Sequence, residues 1–397
     1  METAFSFMDF DLHEVAANGC FSILLVALDN LHLYKFDVDR PDDQGNVLLH
    51  YAVENDSTET VEKLLHLKAN CDIPNAKGDT PLHLACFHGH LNMVKLLVHH
   101  GSTINAADHN GETPIFKAIR GKHLPITKYL ISLGADVTCR NISNENILHI
   151  AACTNDDQTL QLLLLEGFDV NKTNDCGPTP LELAITNGAF NAVKLLWNVS
   201  AGYMIRDIRN CSLLHLAVIY NQPETCMWLI SQNIDVNAGD VNGSTALHYA
   251  ADTNRADILK YLLQNGANID QKDEDDYTAL HVAAAHSSSI PTLEILLRYR
   301  ARIDCETVNG DLPLHRAAAC GNEKAIQLLF NNELILRRNK SGLTPALIAK
   351  ECGQSSAVYI LEKLLLKERK YRSVSIRKKV SFAKSNPLMT SRELFKI

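Results

Sequence analysis

Between residues 79 and 111 the apolar positions fall into two short helical stripes, Leu82 and Ala85 in the first and Met93, Val94, Leu96 and Leu97 in the second. Thr80 can cap the first helix, and Pro81 suits its first position, where a missing N–H is no loss. Gly89 breaks that helix, and Gly101 can end the second in a left-handed cap. Asp108 to Gly111 then makes a tight turn. The pattern predicts two short antiparallel helices with a turn projecting beyond them. Such a pair leaves apolar surface on both sides, so it should exist only in a stack.

The pattern recurs along most of the chain. His83 has equivalents at His50, Phe116, His149, Glu182, His215, His248, His281, His315 and Leu347, spaced by 33 residues seven times and then by 34 and 32. That is ten units in one register. The segments TPLHLA at 80–85, TALHYA at 245–250, TALHVA at 278–283 and LPLHRA at 312–317 resemble the ankyrin repeat. The resemblance covers roughly residues 42–366. It implies an all-α solenoid of L-shaped helix–loop–helix units with projecting β-hairpin turns. It also implies that the recurring histidine bonds the hairpin loop through its ring nitrogens.

Three segments follow. Residues 1–41 read as an N-terminal capping repeat, because LHEVAANG at 12–19 echoes a first helix and end units must cover an exposed core face. Residues 42–366 are the array, and 367–397 a basic, disordered tail. The array is uneven. Val47-Leu48, Asn146-Ile147 and Ser212-Leu213 replace Thr-Pro, and Asn144 and Asn210 replace the turn glycine while still tolerating positive φ. The unit around Leu196-Trp197 loses its regular loop, so lower local stability or altered curvature is expected over 140–210. One residue is added within His286–Ile290.

Composition narrows the function. The 397 residues carry a net charge of −8, yet 363–397 alone hold eleven Lys or Arg against two Glu, which leaves −17 for the body. A body this acidic disfavours nucleic acid as partner, although the tail alone could bind it weakly. Eleven scattered cysteines without a CxxC pair point to a reducing compartment, hence the cytoplasm, with nuclear entry through the basic tail as a further expectation. The first residues carry acids where a secretion signal carries bases, and the longest apolar run, Ile23–Leu28, is too short to span a bilayer. A monomer is expected.

Catalysis finds no support. No GxxxxGK[ST], GxSxG, HExxH or GxGxxG occurs, so neither an enzyme nor a cofactor is expected. Seventeen histidines suggest metal at first sight, but seven of them occupy the one repeat position where the resemblance gives them a structural role. The resemblance adds that Asn105, Asn171 and Asn237 stand where ankyrin repeats are hydroxylated by an asparaginyl hydroxylase.

Binding is the class that remains, with protein partners lying in a groove of loops and first helices. The acidic tip Asp273-Glu274-Asp275-Asp276 could receive a basic segment, whether a partner's or this chain's own tail. In the tail, Lys378-Lys379-Val380-Ser381-Phe382 resembles the docking motif through which regulatory subunits bind the type-one protein phosphatase. Val380 and Phe382 would point the same way into apolar pockets, as strand alternation requires. In the myosin phosphatase targeting family this motif precedes the repeats, whereas here it follows them. Ser381, behind two bases, and Ser375, behind Arg372, resemble kinase sites, and a phosphate on Ser381 should oppose docking. The leading reading is a non-catalytic scaffold or adaptor, with a phosphatase-targeting subunit as alternative. A ubiquitin-ligase adaptor ranks behind both, since the tail does not resemble a SOCS box.

Overall fold

The computed structural model describes residues 11–30, 37–165, 169–175, 177–199, 206–207 and 209–367. The docking motif Lys378, Lys379, Val380, Phe382 and the serines Ser375 and Ser381 lie outside the described residues. The chain divides into two compact units, residues 1–202 and 203–397.

In the first unit the helices pair as Leu12–Ala17 with Phe21–Asp29, Leu48–Glu54 with Thr58–His66, Pro81–His88 with Leu91–His99, Pro114–Arg120 with Leu124–Ser132, Ile147–Thr154 with Asp157–Leu165, and Pro180–Thr186 with Phe190–Val199. In the second the pairs are Leu213–Ile219 with Pro223–Ser231, Ala246–Asp252 with Ala256–Gln264, Ala279–Ala285 with Ile290–Arg298, Pro313–Ala319 with Glu323–Leu329, and Pro345–Glu351 with a helix over 355–367. Within each unit, first helices pack on first helices and second on second, as the two-sided apolar pattern requires. Leu82, Ala85, Met93, Val94 and Leu97 are fully buried, while Leu96 is only half-buried. The residue added near His286 is taken up by a 3₁₀ turn at Ser287–Ser289. The short spacing that follows His315 matches a shortened helix, Glu323–Leu329, and a 3₁₀ turn at Leu334–Leu336.

The loops repeat one device. An Asx side chain accepts two backbone N–H groups within its own turn, as Asp108 does from Asn110 and Glu112, each at 2.8 Å. Each tip then donates one backbone N–H to the loop before it. In the first unit these bonds run from Ala76, His109, Ile142 and Asp175 to Gln44, Lys77, Asn110 and Ser143, and in the second from Val241, Glu274, Val308 and Lys340 to Arg209, Asn242, Asp275 and Asn309. The turn position needs a left-handed backbone, and at Gly78 the neighbouring loop also leaves no room for a side chain. A Cβ on Gly78, whose φ is +83°, would stand 2.5 Å from the His109 nitrogen. Asn144 (φ +58°) and Asn210 (φ +59°) fill the same place, as expected of Asn, and so does Asp276 (φ +62°). Among the described residues the loops contain no extended strands, only the isolated bridges Arg206–Ser212 and Gly239–Thr245. The projecting turns are tight loops linked tip to tip.

Candidate functional site

The recurring histidine fastens each first helix to the next loop. In His83 the Nδ1 atom accepts from the Thr80 backbone N–H at 3.1 Å, and Nε2 donates to the Glu112 carbonyl at 3.1 Å. His50, His215, His248, His281 and His315 repeat the arrangement, toward the carbonyls of Asp79, Ser244, Tyr277, Asp311 and Leu343. With Nδ1 accepting and Nε2 donating, each ring is the neutral Nε2–H tautomer. Both nitrogens are engaged, so these rings serve the fold and are not free to ligate a metal. In the N-terminal pair, His13 reaches the Arg40 carbonyl at 2.7 Å in the same manner. Second helices add a backward stitch, in which His90 and His123 donate to the carbonyls of Glu54 and Phe87.

His149 is the exception. Its Nδ1 lies 2.6 Å from Asn146 Oδ1, an oxygen that already accepts the Leu148 and His149 backbone N–H groups. The Asn146 backbone N–H also points at Nδ1, at 3.3 Å, so this nitrogen faces a donor and a closer acceptor at once. The closer acceptor favours a proton on Nδ1, which turns Nε2 into a lone pair. The carbonyls of Pro178 and Lys172 lie beside Nε2, but neither meets it with the geometry of an ordinary hydrogen bond. A second orphan sits in the next loop. Asn174 Oδ1, in the turn-capping role, would accept from residue 178, but Pro178 has no N–H, and this oxygen too is buried and unpaired. Both orphans lie within 140–210, the stretch the sequence marks as uneven. Asn146→Thr should restore the Nε2–H tautomer and raise stability by about 1 kcal/mol, the worth of one buried hydrogen bond. Amide exchange over residues 147–186 checks it, and unchanged protection there would refute the tautomer account.

What remains exposed is the outer face of the loops. Tips carry His109, Ile142 and Asp175 in the first unit and Val241, Glu274, Val308 and Lys340 in the second, all exposed. Ile142, Val241 and Val308 are 69%, 51% and 47% accessible, too much for residues that serve only the core. The acidic tip is less uniform than its sequence. Asp273 Oδ1 accepts from Asp275 and Tyr277 N–H, Asp276 holds the left-handed turn position and pairs with Lys272 at 3.3 Å, and Glu274 and Asp275 are the two carboxylates left exposed. Two of the four acids therefore build the turn.

The three asparagines also divide. Asn105 Oδ1 accepts the Asp136 N–H at 2.9 Å and Asn237 Oδ1 the Asn268 N–H at 2.7 Å, so both tie neighbouring loops. Asn171 is exposed, and among the described residues its carboxamide makes no such bond.

Sequence reading missed a buried charge cluster. Lys117 Nζ lies 2.7 Å from Asp108, 3.2 Å from Asp79 and 3.5 Å from Glu112, and Arg120 grips Glu112 as well. Burial alone would lower the Lys117 pKa, but the bond to Asp108 and the charge of Asp79 more than offset it and raise it. Nine-residue spacing between Asp108 and Lys117 was the available signal, and it recurs in Tyr51–Asp42 (2.6 Å) and Tyr249–Asp240 (2.7 Å).

The ten described cysteines are free, and burial raises several thiols, Cys226 to about 12 and Cys153 and Cys211 to about 11, which suppresses thiolate chemistry. Among the described residues no group of three His, Cys, Asp or Glu is arranged to hold a metal ion, and no helix is long and apolar enough to cross a membrane.

Comparison with known proteins agrees with this architecture. A family model for ankyrin repeats in three copies matches residues 49–141, 148–240, 214–307 and 280–372. Among solved structures, the human ASB11 ankyrin repeat domain is similar in fold at a TM-score of 0.50 and 23% identity, covering 56% of this chain and 99% of that one. With the matched segments spanning most of its length, the chain belongs to the ankyrin repeat family.

Proposed function

We propose that this protein is a non-catalytic scaffold or adaptor that binds protein segments along the face formed by its loops and first helices. One observation carries the reading. Within each unit a backbone ladder fixes the loop tips at regular intervals, while the exposed side chains on them differ freely, as Ile142 and Asp175 do in the first unit and Glu274 and Lys340 in the second. A constant frame with variable exposed chemistry is what selective binding needs, and Ile142 and Val308 offer it large exposed apolar groups. In this reading each helix pair from Leu48 onward is one repeat, ten in all before the tail, and residues 1–41 act as the cap.

The experiment is proximity labelling in cells with the full chain, compared with Ile142→Asp/Val308→Asp on the tips and Glu62→Lys/Lys260→Glu on second helices. Partners lost in the tip variant but kept in the second-helix variant support the loop face. Equal loss in both would refute it.

A phosphatase-targeting role is the second reading, favoured by Lys379-Val380-Ser381-Phe382 alone. Co-precipitation of type-one phosphatase by the wild type, lost in Val380→Ala/Phe382→Ala and weakened by Ser381→Glu, would support it, and no phosphatase in any sample would end it. Hydroxylation of Asn105, Asn171 and Asn237 belongs to the same reading of the loops.

A further inference from the structure

On the loop face, the residue after the bridging position reaches back to the turn nine residues earlier. Tyr51 donates to Asp42, Lys117 to Asp108 and Tyr249 to Asp240. Arg316 occupies this place in the helix Pro313–Ala319, but nine residues earlier stands Thr307. The Thr307 hydroxyl does the turn's work by accepting the Asp311 N–H at 3.1 Å, yet it brings no charge. Arg316 instead lies on the ring of Tyr277 from the preceding loop, its guanidinium carbon 5.3 Å from the ring centroid. The edge of that ring meets His281, centroid to centroid 5.6 Å.

Four carboxylates of the adjoining loops have other roles, and among the described residues neither Glu274 nor Asp275 pairs with Arg316. Asp311 Oδ1 accepts from the Asn339 amide at 2.8 Å, and Glu306 from Arg337 at 2.9 Å. Asp273 Oδ1 holds its own turn, and Asp276 pairs with Lys272. Arg316 Nε is shut off from solvent without an acceptor, and among the described residues nothing makes a hydrogen bond or ion pair with the guanidinium. The terminal nitrogens of this half-buried side chain keep their contact with solvent. A guanidinium held in one orientation by an aromatic ring, with unused donors facing outward, is prepared for a planar carboxylate.

We propose that Arg316, held on Tyr277, anchors an aspartate or glutamate side chain of a partner segment lying along the loop face of the second unit. Glu274 and Asp275, exposed on the preceding tip, meet a basic residue of the same segment, so the partner sequence is of mixed charge. A phosphate group fits less well. Arg316 alone neutralises one negative charge, Lys272 is already engaged by Asp276 and the Glu306 carbonyl, and the two exposed acids repel a dianion. This inference rests on the protein-binding reading above.

The test pans the full-length chain against a random linear-peptide phage library. Enriched peptides are then remade with Asp or Glu, with the matching amide, and with phosphoserine at the acidic position. Wild type should enrich peptides with an acid at a fixed position, and the amide should bind about tenfold more weakly. Arg316→Gln should show no such difference, and Arg316→Glu should select a base there instead. Among the described residues Arg316 makes no hydrogen bond, so both variants should keep the circular dichroism spectrum of the wild type. Binders without an acid preference, or with one unchanged in Arg316→Gln, overturn this inference and leave the loop face as the binding surface. No peptide enriched by the wild type overturns the protein-binding reading itself. Tighter binding of phosphoserine than of glutamate, lost in Arg316→Gln, would replace the carboxylate by a phosphate.

Discussion

Lys117→Met should destabilise the first unit by about 3–5 kcal/mol, the range for breaking a buried ion pair by removing one partner. The ammonium lies among Asp79, Asp108 and Glu112, whose side chains are 11%, 1% and 6% accessible. Without it, only Arg120 remains, and it reaches Glu112 alone. Asp108 is the most exposed to this loss. Burial pushes its carboxyl upward, while the bond to Lys117 and the Asn110 and Glu112 amides hold it below the usual carboxylate range. Methionine keeps the length of the lysine stem, so little cavity is created and the effect is electrostatic. Asp108→Asn keeps an oxygen for the two turn amides and removes the charge, so Lys117→Met/Asp108→Asn should recover more than half of the loss. Urea unfolding followed by Trp197 fluorescence in a Trp228→Phe background reads the first unit. A midpoint for Lys117→Met within error of wild type would show that the cluster is solvated in solution. Because the cluster is buried, the difference should also survive high salt, which erases exposed pairs.

How much of this was legible in the sequence differs from element to element. The register of His50, His83 and His149 can be counted without a structure, because an inter-unit bond must recur at the same place in every unit. Turn positions were legible too, since Asn144 and Asn210 stand where only glycine or a φ-tolerant residue fits. Lys117 was not singled out, because its meaning depends on Asp79, Asp108 and Glu112, residues from two loops that converge only once the units stack. His149 shows the same limit at finer scale. Asn146 is a good cap by any sequence rule, yet its Oδ1 crowds His149 Nδ1, where the other repeats present only donors, and Nε2 is left without a partner. At the acidic tip four adjacent carboxylates read alike in sequence, while the fold uses Asp273 and Asp276 in the turn and leaves Glu274 and Asp275 exposed. Arg316 was readable in principle, as the place nine residues beyond a turn residue that lacks a charge. Recognising it required knowing that the nine-residue contact exists.

Stability should fall as pH drops from 6.5 toward 4, before the carboxylates titrate. Burial lowers the pKa of His50, His83, His149, His215, His248, His281 and His315, and that of His281 falls from 6.5 to about 4, even though neighbouring carbonyls pull the other way. As pH falls the unfolded chain, with ordinary imidazoles, takes up protons first. The contribution of these rings is therefore complete above about pH 6.5 and is lost as pH falls toward the folded-state values. For His281 the shift corresponds to about 3 kcal/mol. The chemistry supports the direction, because Nδ1 faces a backbone N–H in His281 and its relatives and a proton placed there would oppose another donor. The carboxyl groups of Asp42 and Asp108 are held below their usual range, so their contribution is lost only at lower pH and does not blur this window. Urea midpoints measured from pH 7.5 down to pH 4 should therefore decline steadily. His281→Gln should be less stable at pH 7 but should flatten the decline by one proton's worth, and the imidazole resonance of His281 should stay in its neutral position until the protein begins to unfold. A titration of that resonance near pH 6.5 in the folded protein would show that the ring is open to solvent and would remove the linkage.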